Sequence, residues 1–446
     1  MCGIIGSINY SKSFDKKNFE WINSKIKKLK HRGPDDEKIW ISDLKNIIFG
    51  HTKLSIIDLS PQNIQPMHDE DHGIILTFNG EIYNYLELKK KLSSKFKFNT
   101  NSDTEVIIKS YLEWGEKFLE KIEGMFALAL LDSKKDITYI ARDRLGEKPL
   151  FYFFNQEEFL FSSEISAFYS LTNLNKKVLN ETLLNGFPIN RHETLLNNIN
   201  QVEPGEFLKI FLKDKKFLKE KYWKINFNCK KVVNSKEKEF DKILNSNIEK
   251  CLISDVNTCV TLSGGLDSSI VTAIASKQKK IDTFSIVFKN KKFDERKHIS
   301  KISRTFKTNH HEIEINKYSL EDIISIIEKF DLPILDSSII PSYILFNNLK
   351  KNNYKVALGG DGGDEVFGGY NHYKFFNKIN DWKKKYFNFN INFLSSIFNN
   401  IDNHNFKGSQ YLNFLLNSED IYKIPFFIKK KIRKKILNNK YFLDVN

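Results

Sequence analysis

The segment TCVTLSGGLDSS, residues 258–269, constrains the fold of this chain more than any other. A β-branched apolar run enters a tight double-glycine turn and leaves as a helix. A strand–turn–helix unit of this kind fits a parallel sheet, in which a helical crossover carries the chain to the next strand. The flanking pattern repeats the unit. A strand at 257–262 leads to a helix at 268–277 and a strand at 283–288. Helices near 296–305 and 320–329 and a strand at 355–358 follow. Strands alternating with helices from about residue 240 predict a doubly wound parallel sheet.

The first half has another rhythm. Apolar runs of strand length stand at 3–8, 46–50, 73–78, 126–131 and 137–141, and a hairpin is expected at 151–154 and 158–162. Helical spacing appears at 18–30 and 103–114. This mixture predicts a layered α+β domain over residues 2–216. A Lys-rich, weakly periodic linker covers 217–239, and the α/β domain covers 240–446. A chain of 446 residues accommodates two such domains. No run is long and apolar enough for a membrane span, so no membrane partner is expected. The net charge of +15 is spread along the whole chain, and no nucleic-acid partner is read from it. The four cysteines (Cys2, Cys229, Cys251, Cys259) show no zinc spacing. With no export signal, the expected compartment is the reducing cytoplasm.

The double-glycine turn has the chemistry of an anion cradle. Gly264 and Gly265 let the backbone approach closely, and the following helix start offers free N–H groups. Ser263, Ser268 and Ser269 add hydroxyl donors. Asp267 beside a phosphate calls for a cation, Mg²⁺. No Gly-Lys-[Ser/Thr] follows, so this is not a Walker A loop. A second acidic turn, GGDGGDEVFGGY (359–370), holds six glycines around Asp361, Asp364 and Glu365. At the carboxyl edge of neighbouring parallel strands, Asp364 would share a metal with Asp267. At the other end of the chain, Cys2 becomes N-terminal if Met1 is removed. Its α-amino group, with an ordinary pKa near 8, can then act as base for its own thiol. On position alone this reading stands level with a small buried residue in a first strand. Asn79-Gly80 carries the local signal of a type I′ hairpin turn, and a tight turn is one way to expose an N–H.

Several blocks resemble a known family. SGGLDSS resembles the pyrophosphate loop of N-type ATP pyrophosphatases, and GDGGDEVFGGY resembles glutamine-hydrolysing asparagine synthetases. The blocks MCGIIG, HRGPD (31–35), HTKLSIIDLS (51–60), FNGEIYNY (78–85), SDTEVI (102–107), GMFALALLD (124–132), ARDRLGEKPLFY (141–152) and SSEISAF (162–168), with Tyr222-Trp223, resemble that family's class II glutamine amidotransferase domain. The resemblance implies an N-terminal nucleophile αββα sandwich followed by an ATP pyrophosphatase domain. Cys2 would attack the glutamine amide, with Asn79 and the Gly80 N–H stabilising the oxyanion. Lys53, Leu54, Ser55, Ile56, Ile57, Glu81 and Asp103 would bind glutamine, the two carboxylates holding its ammonium. Lys53 stands where the family carries Arg, which costs the bidentate fork and predicts a raised KM.

In the second domain Leu262, Ile286, Gly359 and Gly360 would contact ATP. Ser263, Gly264, Gly265, Asp267 and Ser268 would hold its pyrophosphate, directly or through Mg²⁺. Asp361 would lie near the acyl-adenylate intermediate. Ammonia would attack that intermediate, giving asparagine, glutamate, AMP and pyrophosphate. The segment 330–343 lacks an Arg used by some members, so the acceptor is aspartate or another carboxylate such as a sugar acid. The chain is also short for the family. A glutaminase or split-chain amidotransferase is the alternative, with a separate chain supplying the C-terminal part. The other partner read here is a second copy in a homodimer. Ile428, Ile432 and Ile436 recur every four residues between Lys and Arg and read as a helix packing on the domain.

Overall fold

The computed structural model describes residues 1–10, 16–185, 188, 190–226, 236–290, 294–315, 318–330, 336–370, 373, 374 and 377. The first domain is a stack of two six-stranded antiparallel sheets. One runs in the order Ile199–Gln201, Phe151–Phe154, Glu158–Ser162, Gly3–Asn9, Ile47–Lys53, Asp36–Ile41. The other runs Lys216–Lys221, Glu206–Phe211, Ile137–Arg142, Gly124–Asp132, Ile74–Ile82, Met67–Asp69.

Alternation along the strands sends side chains to opposite faces and builds three apolar layers. Ile4, Ile8, Phe49, Ala127, Ala129, Ile140 and Phe161 fill the space between the sheets. Ile5, Ile48 and Leu160, on the opposite face of the first sheet, pack under Ile22 and Ile26 of the helix Lys16–Lys28. Leu76, Phe78, Leu128 and Leu130 of the second sheet meet the helices Tyr85–Leu92 and Asp103–Trp114. The result is the αββα sandwich that the resemblance implied.

The second domain carries a four-stranded parallel sheet ordered Asn309–Ile315, Asp282–Phe288, Thr258–Thr261, Val356–Leu358. The alternation of strand and helix does yield the parallel sheet. Val260 is buried with Ile274 and Ala275 of the helix Leu266–Gln278 and with Ile248 and Leu252. The stretch 217–239 begins with most of the edge strand Lys216–Lys221 and ends in the first turn of the helix Lys236–Cys251. Residues 227–235 between them lie outside the described residues. So do Cys229, part of the segment 330–343 and the C-terminal Ile stripe at 428–436.

Phe161 is fully buried and meets Phe49 edge-on, with ring centroids 5.4 Å apart. Phe161→Ala is expected to remove about 3–5 kcal/mol of stability. Urea titration followed by tryptophan fluorescence measures it, since Trp21, Trp40 and Trp114 all lie in this domain. A loss below about 1 kcal/mol would contradict the close packing between the sheets.

Candidate active sites

Pairing of Gly3–Asn9 with Ile47–Lys53 sets Gly3 opposite Thr52. Cys2 therefore reaches the end of the partner strand. The Leu54 N–H donates to its Sγ at 3.3 Å, and the thiol faces the Leu54 carbonyl at 3.7 Å. Behind it, the Arg32 Nε donates to the Cys2 carbonyl at 3.1 Å. Arg32 and His31 both meet Glu164, at 3.1 and 2.8 Å. The blocks HRGPD and SSEISAF thus converge to hold the thiol in place. Burial raises the Cys2 pKa, with the Leu54 hydrogen bond opposing, so the thiol needs a base at neutral pH. The chain's α-amino group, here on Met1, is pulled down to about 6. Burial is the main cause, and the Arg32 and Lys148 charges push the same way against the Cys2 thiolate. An amine with that pKa is largely free base at pH 7.

Asn79 and Gly80 do not form a turn. They lie within the strand Ile74–Ile82, opposite Ala127 and Phe126. The tight-turn reading fails because the ladder continues through both residues. Glycine is needed at 80 for closeness: a Cβ there would stand 2.1 Å from the Met125 carbonyl oxygen. The Asn79 side chain is fully buried, and neither its nitrogen nor its oxygen has a hydrogen-bond partner among the described residues. An unmet buried amide costs about 1–3 kcal/mol and is rare in a native structure. Asn79 also lines the pocket that holds Cys2.

That pocket brings together every residue expected to bind glutamine: Lys53, Leu54, Ser55, Ile56, Ile57, Asn79, Gly80, Glu81 and Asp103. Burial first, then the Asp103 charge, lifts the Glu81 pKa to about 7. Burial lifts Asp103 to about 6 against an N–H donated by Ile82 at 3.0 Å. Two buried carboxyls with raised pKa values in one pocket suit an incoming cation, whose charge would favour their ionised forms. Lys53 Nζ donates to the Asn63 carbonyl at 2.5 Å. Lys148 also lines the pocket; it is 6% exposed, and its Nζ lies 3.3 Å from Met1 Sδ. Sequence reasoning passed over it. The available signal was a lysine placed directly before the apolar run PLFY.

In the second domain Gly264 takes φ +81° at the turn, a left-handed conformation natural to glycine. The helix Leu266–Gln278 starts with no side-chain cap from Gly265, which leaves its first N–H groups without one. The Ser263 and Ser268 hydroxyls lie 2.9 Å apart at its mouth, while Ser269 Oγ turns back to the Gly265 carbonyl at 2.6 Å. Asp267 packs against the second acidic turn, since a Cβ on Gly363 would stand 2.5 Å from its carboxyl carbon. The Asp364 carboxyl lies against Gly369, and that of Asp361 against Gly359. The strands feeding these turns are adjacent and parallel, so both turns stand at one sheet edge. Leu262 is buried with Val287 and Ile299, and Ile286 is half-buried on the next strand. Gly360 lies close to the Ser268 backbone nitrogen. None of Asp267, Asp361 and Asp364 has an ion-pair partner among the described residues. Carboxylate oxygens beside a phosphate-type turn are the donors a hard divalent ion takes.

Residues 1–223 match the family described as glutamine amidotransferase domain, and residues 239–434 the family described as asparagine synthase. The chain belongs to the glutamine-hydrolysing asparagine synthetase family. A provisionally named asparagine synthetase (glutamine-hydrolysing) 2 of Methanocaldococcus jannaschii is 37% identical over 83% of this chain and 76% of its own length. Asparagine synthetase 3 of Bacillus subtilis is 33% identical over 83% of this chain and 63% of its own length. Asparagine synthetase B of Escherichia coli is 31% identical over 77% and 60%. The chain thus spans about three fifths of the length of the latter two. The family is one of ATP-dependent, glutamine-hydrolysing ligases. No helix among the described residues of this synthetase-family chain is long and apolar enough to cross a membrane.

The Glu81 shift has a sign that can be checked. Its pKa in the fold lies above the ordinary 4.5, so stability is lost as pH rises from about 4.5 to about 7. Glu81→Gln removes that penalty. The ligand-free variant is expected to melt roughly 3–8 °C above the parent at pH 8 and with no gain at pH 4. Calorimetry at the two pH values decides; an equal shift at both would assign the effect to packing.

Proposed function

We propose that the chain is a glutamine-dependent asparagine synthetase acting through Cys2. The observation that carries this reading is the Asn79 side chain, fully buried and unpartnered in the pocket of the nucleophile. Removal of Met1 makes the Cys2 amine the base for its own thiol. Glu81 and Asp103, ionised, take the glutamine ammonium, and Lys53 takes its carboxylate. The thiol attacks the side-chain amide. Negative charge then builds on an oxygen facing the Asn79 amide and the Gly80 N–H, which need no reorganisation. Collapse releases ammonia and leaves a thioester, which water hydrolyses to glutamate.

At the second site the turns after Thr258–Thr261 and Val356–Leu358 hold ATP. The residues in contact are Leu262, Ser263, Gly264, Gly265, Ser268, Ile286, Gly359 and Gly360. Asp267 and Asp364 would hold Mg²⁺, which when bound neutralises phosphate charge. The aspartate side-chain carboxylate attacks the α-phosphate near Asp361 and pyrophosphate leaves; ammonia then displaces AMP from the resulting acyl adenylate. Water must be kept from that intermediate, because it competes for the acyl group. The same reading expects the chain in the cytoplasm, where glutamine, aspartate and ATP are all available.

Incubation with glutamine, ATP, Mg²⁺ and aspartate should yield glutamate, asparagine, AMP and pyrophosphate. Cys2→Ala should abolish glutamate formation and keep synthesis from added ammonia. Neither product from the parent, or undiminished glutamate from Cys2→Ala, would overturn the reading. A second expectation concerns Lys53. Lys53→Arg restores a planar fork and should lower the glutamine KM about 3- to 10-fold with kcat little changed. An unchanged KM would assign the Lys53 ammonium to the Asn63 carbonyl alone.

A further inference from the structure

Residues 54–57 line the thiol pocket, and the loop 54–58 belongs to no helix or strand. Their backbone groups must therefore find partners one by one. Leu54 turns both of its groups toward the Cys2 thiol. The partners of the next residues come largely from the second domain. The Ser55 N–H donates to Asp35 Oδ2 at 2.8 Å, and the same oxygen accepts from Lys355 Nζ at 2.6 Å. Lys355 Nζ also reaches the Ser55 carbonyl at 3.4 Å. The Asp255 N–H donates to the Ile56 carbonyl at 3.1 Å, and Asp255 Oδ2 accepts from the Asp58 N–H at 2.7 Å. Asp58 itself sits at φ +53°, a conformation non-glycine residues rarely take, so its surroundings must hold it there. Its own carboxylate accepts from the Ser60 and Asn101 N–H groups, both local to the first domain.

We infer that Lys355 and Asp255 are positioning residues of the glutaminase site, supplied by the second domain to hold the loop 54–58 around bound glutamine. The inference rests on the glutaminase reading above. The placement of the two residues adds to it. Lys355 immediately precedes the strand Val356–Leu358, and Asp255 stands three residues before Thr258–Thr261. These strands are paired in parallel, Thr258 opposite Val356. Both residues therefore lie at the amino end of the sheet. The nucleotide turns lie at its carboxyl end, one short strand of roughly 13 Å away. Lys355 and Asp35 are half-buried. Burial opposes ionisation of Asp35, and the bonds from Lys355 and Ser55 more than offset it, holding the carboxyl below its usual range.

The test is the glutamine KM and kcat of the full chain without ATP. Lys355→Met is expected to raise KM about 5- to 10-fold with kcat within about twofold, because the loop shapes binding rather than bond breaking. Lys355→Arg, which keeps the charge, should return KM to within about twofold of the parent. Lys250→Met is the control for domain contact in general. Its Nζ bridges to Glu87 and Glu123 of the first domain at 3.2 and 3.3 Å, away from the loop, so its KM should not move. An unchanged KM in Lys355→Met, or an equal rise in Lys250→Met, overturns the inference and leaves the glutaminase reading standing. A parent chain that forms no glutamate removes both. Retained melting temperature in Lys355→Met excludes simple misfolding.

Discussion

The antiparallel pairing of Gly3–Asn9 with Ile47–Lys53 is the contact on which the rest of the site depends. A shift of one residue would move every side chain of the first strand to the opposite face. That shift is costly because both faces are apolar and both are buried. Ile4 and Ile8 fill the space between the sheets, and Ile5 packs under the helix Lys16–Lys28. Two separate cores therefore specify one register. The register in turn puts a thiol at the start of one strand beside an irregular loop at the end of its partner. Arg32 and Glu164 then have only to fix the last degree of freedom, the direction of the Cys2 carbonyl.

The pocket is the part of the domain least at ease with folding. It contains an unpartnered amide, two carboxyls with raised pKa values and a buried lysine ammonium. Each disfavours the ligand-free fold. All four sit against strands whose remaining residues are almost wholly buried and apolar. The sandwich is large enough to tolerate such strain, and in the reading proposed above glutamine would supply the partners the pocket lacks: an ammonium, a carboxylate and an amide oxygen.

Much of this was legible in the amino-acid sequence, unevenly. The hairpin strands 151–154 and 158–162 and the helix 103–114 have the expected bounds, because apolar runs end at clear turn or cap signals; Ser102 accepts from the Glu105 N–H at 3.3 Å. The two glycine-rich acidic turns also fall at strand ends as their composition suggests. Asn79-Gly80 misleads. Its local signal is the strongest for a hairpin, and a nine-residue strand overrides it because Leu76, Phe78 and Ile82 all gain burial by continuing. The strand Lys216–Lys221 and the edge strand Asn309–Ile315 were missed for the opposite reason. Their charged residues hide the apolar alternation. Contacts such as Lys355 with Asp35 join residues 320 positions apart, and no local pattern records them.

Those polar strands have a consequence for how the molecule meets others. Each of the three described sheets closes in the same manner. On one side stands a strand of only three residues, Ile199–Gln201, Met67–Asp69 or Val356–Leu358. On the other stands a strand rich in charge or histidine: DEKIWI, KFLKEK or NHHEIEI. A free strand edge is a template for any other chain with unpaired amides, and short or charged edges are poor templates. Among the described residues, the sheets therefore end where further strand addition is discouraged, which directs association with other molecules toward side-chain surfaces instead of shared backbone ladders.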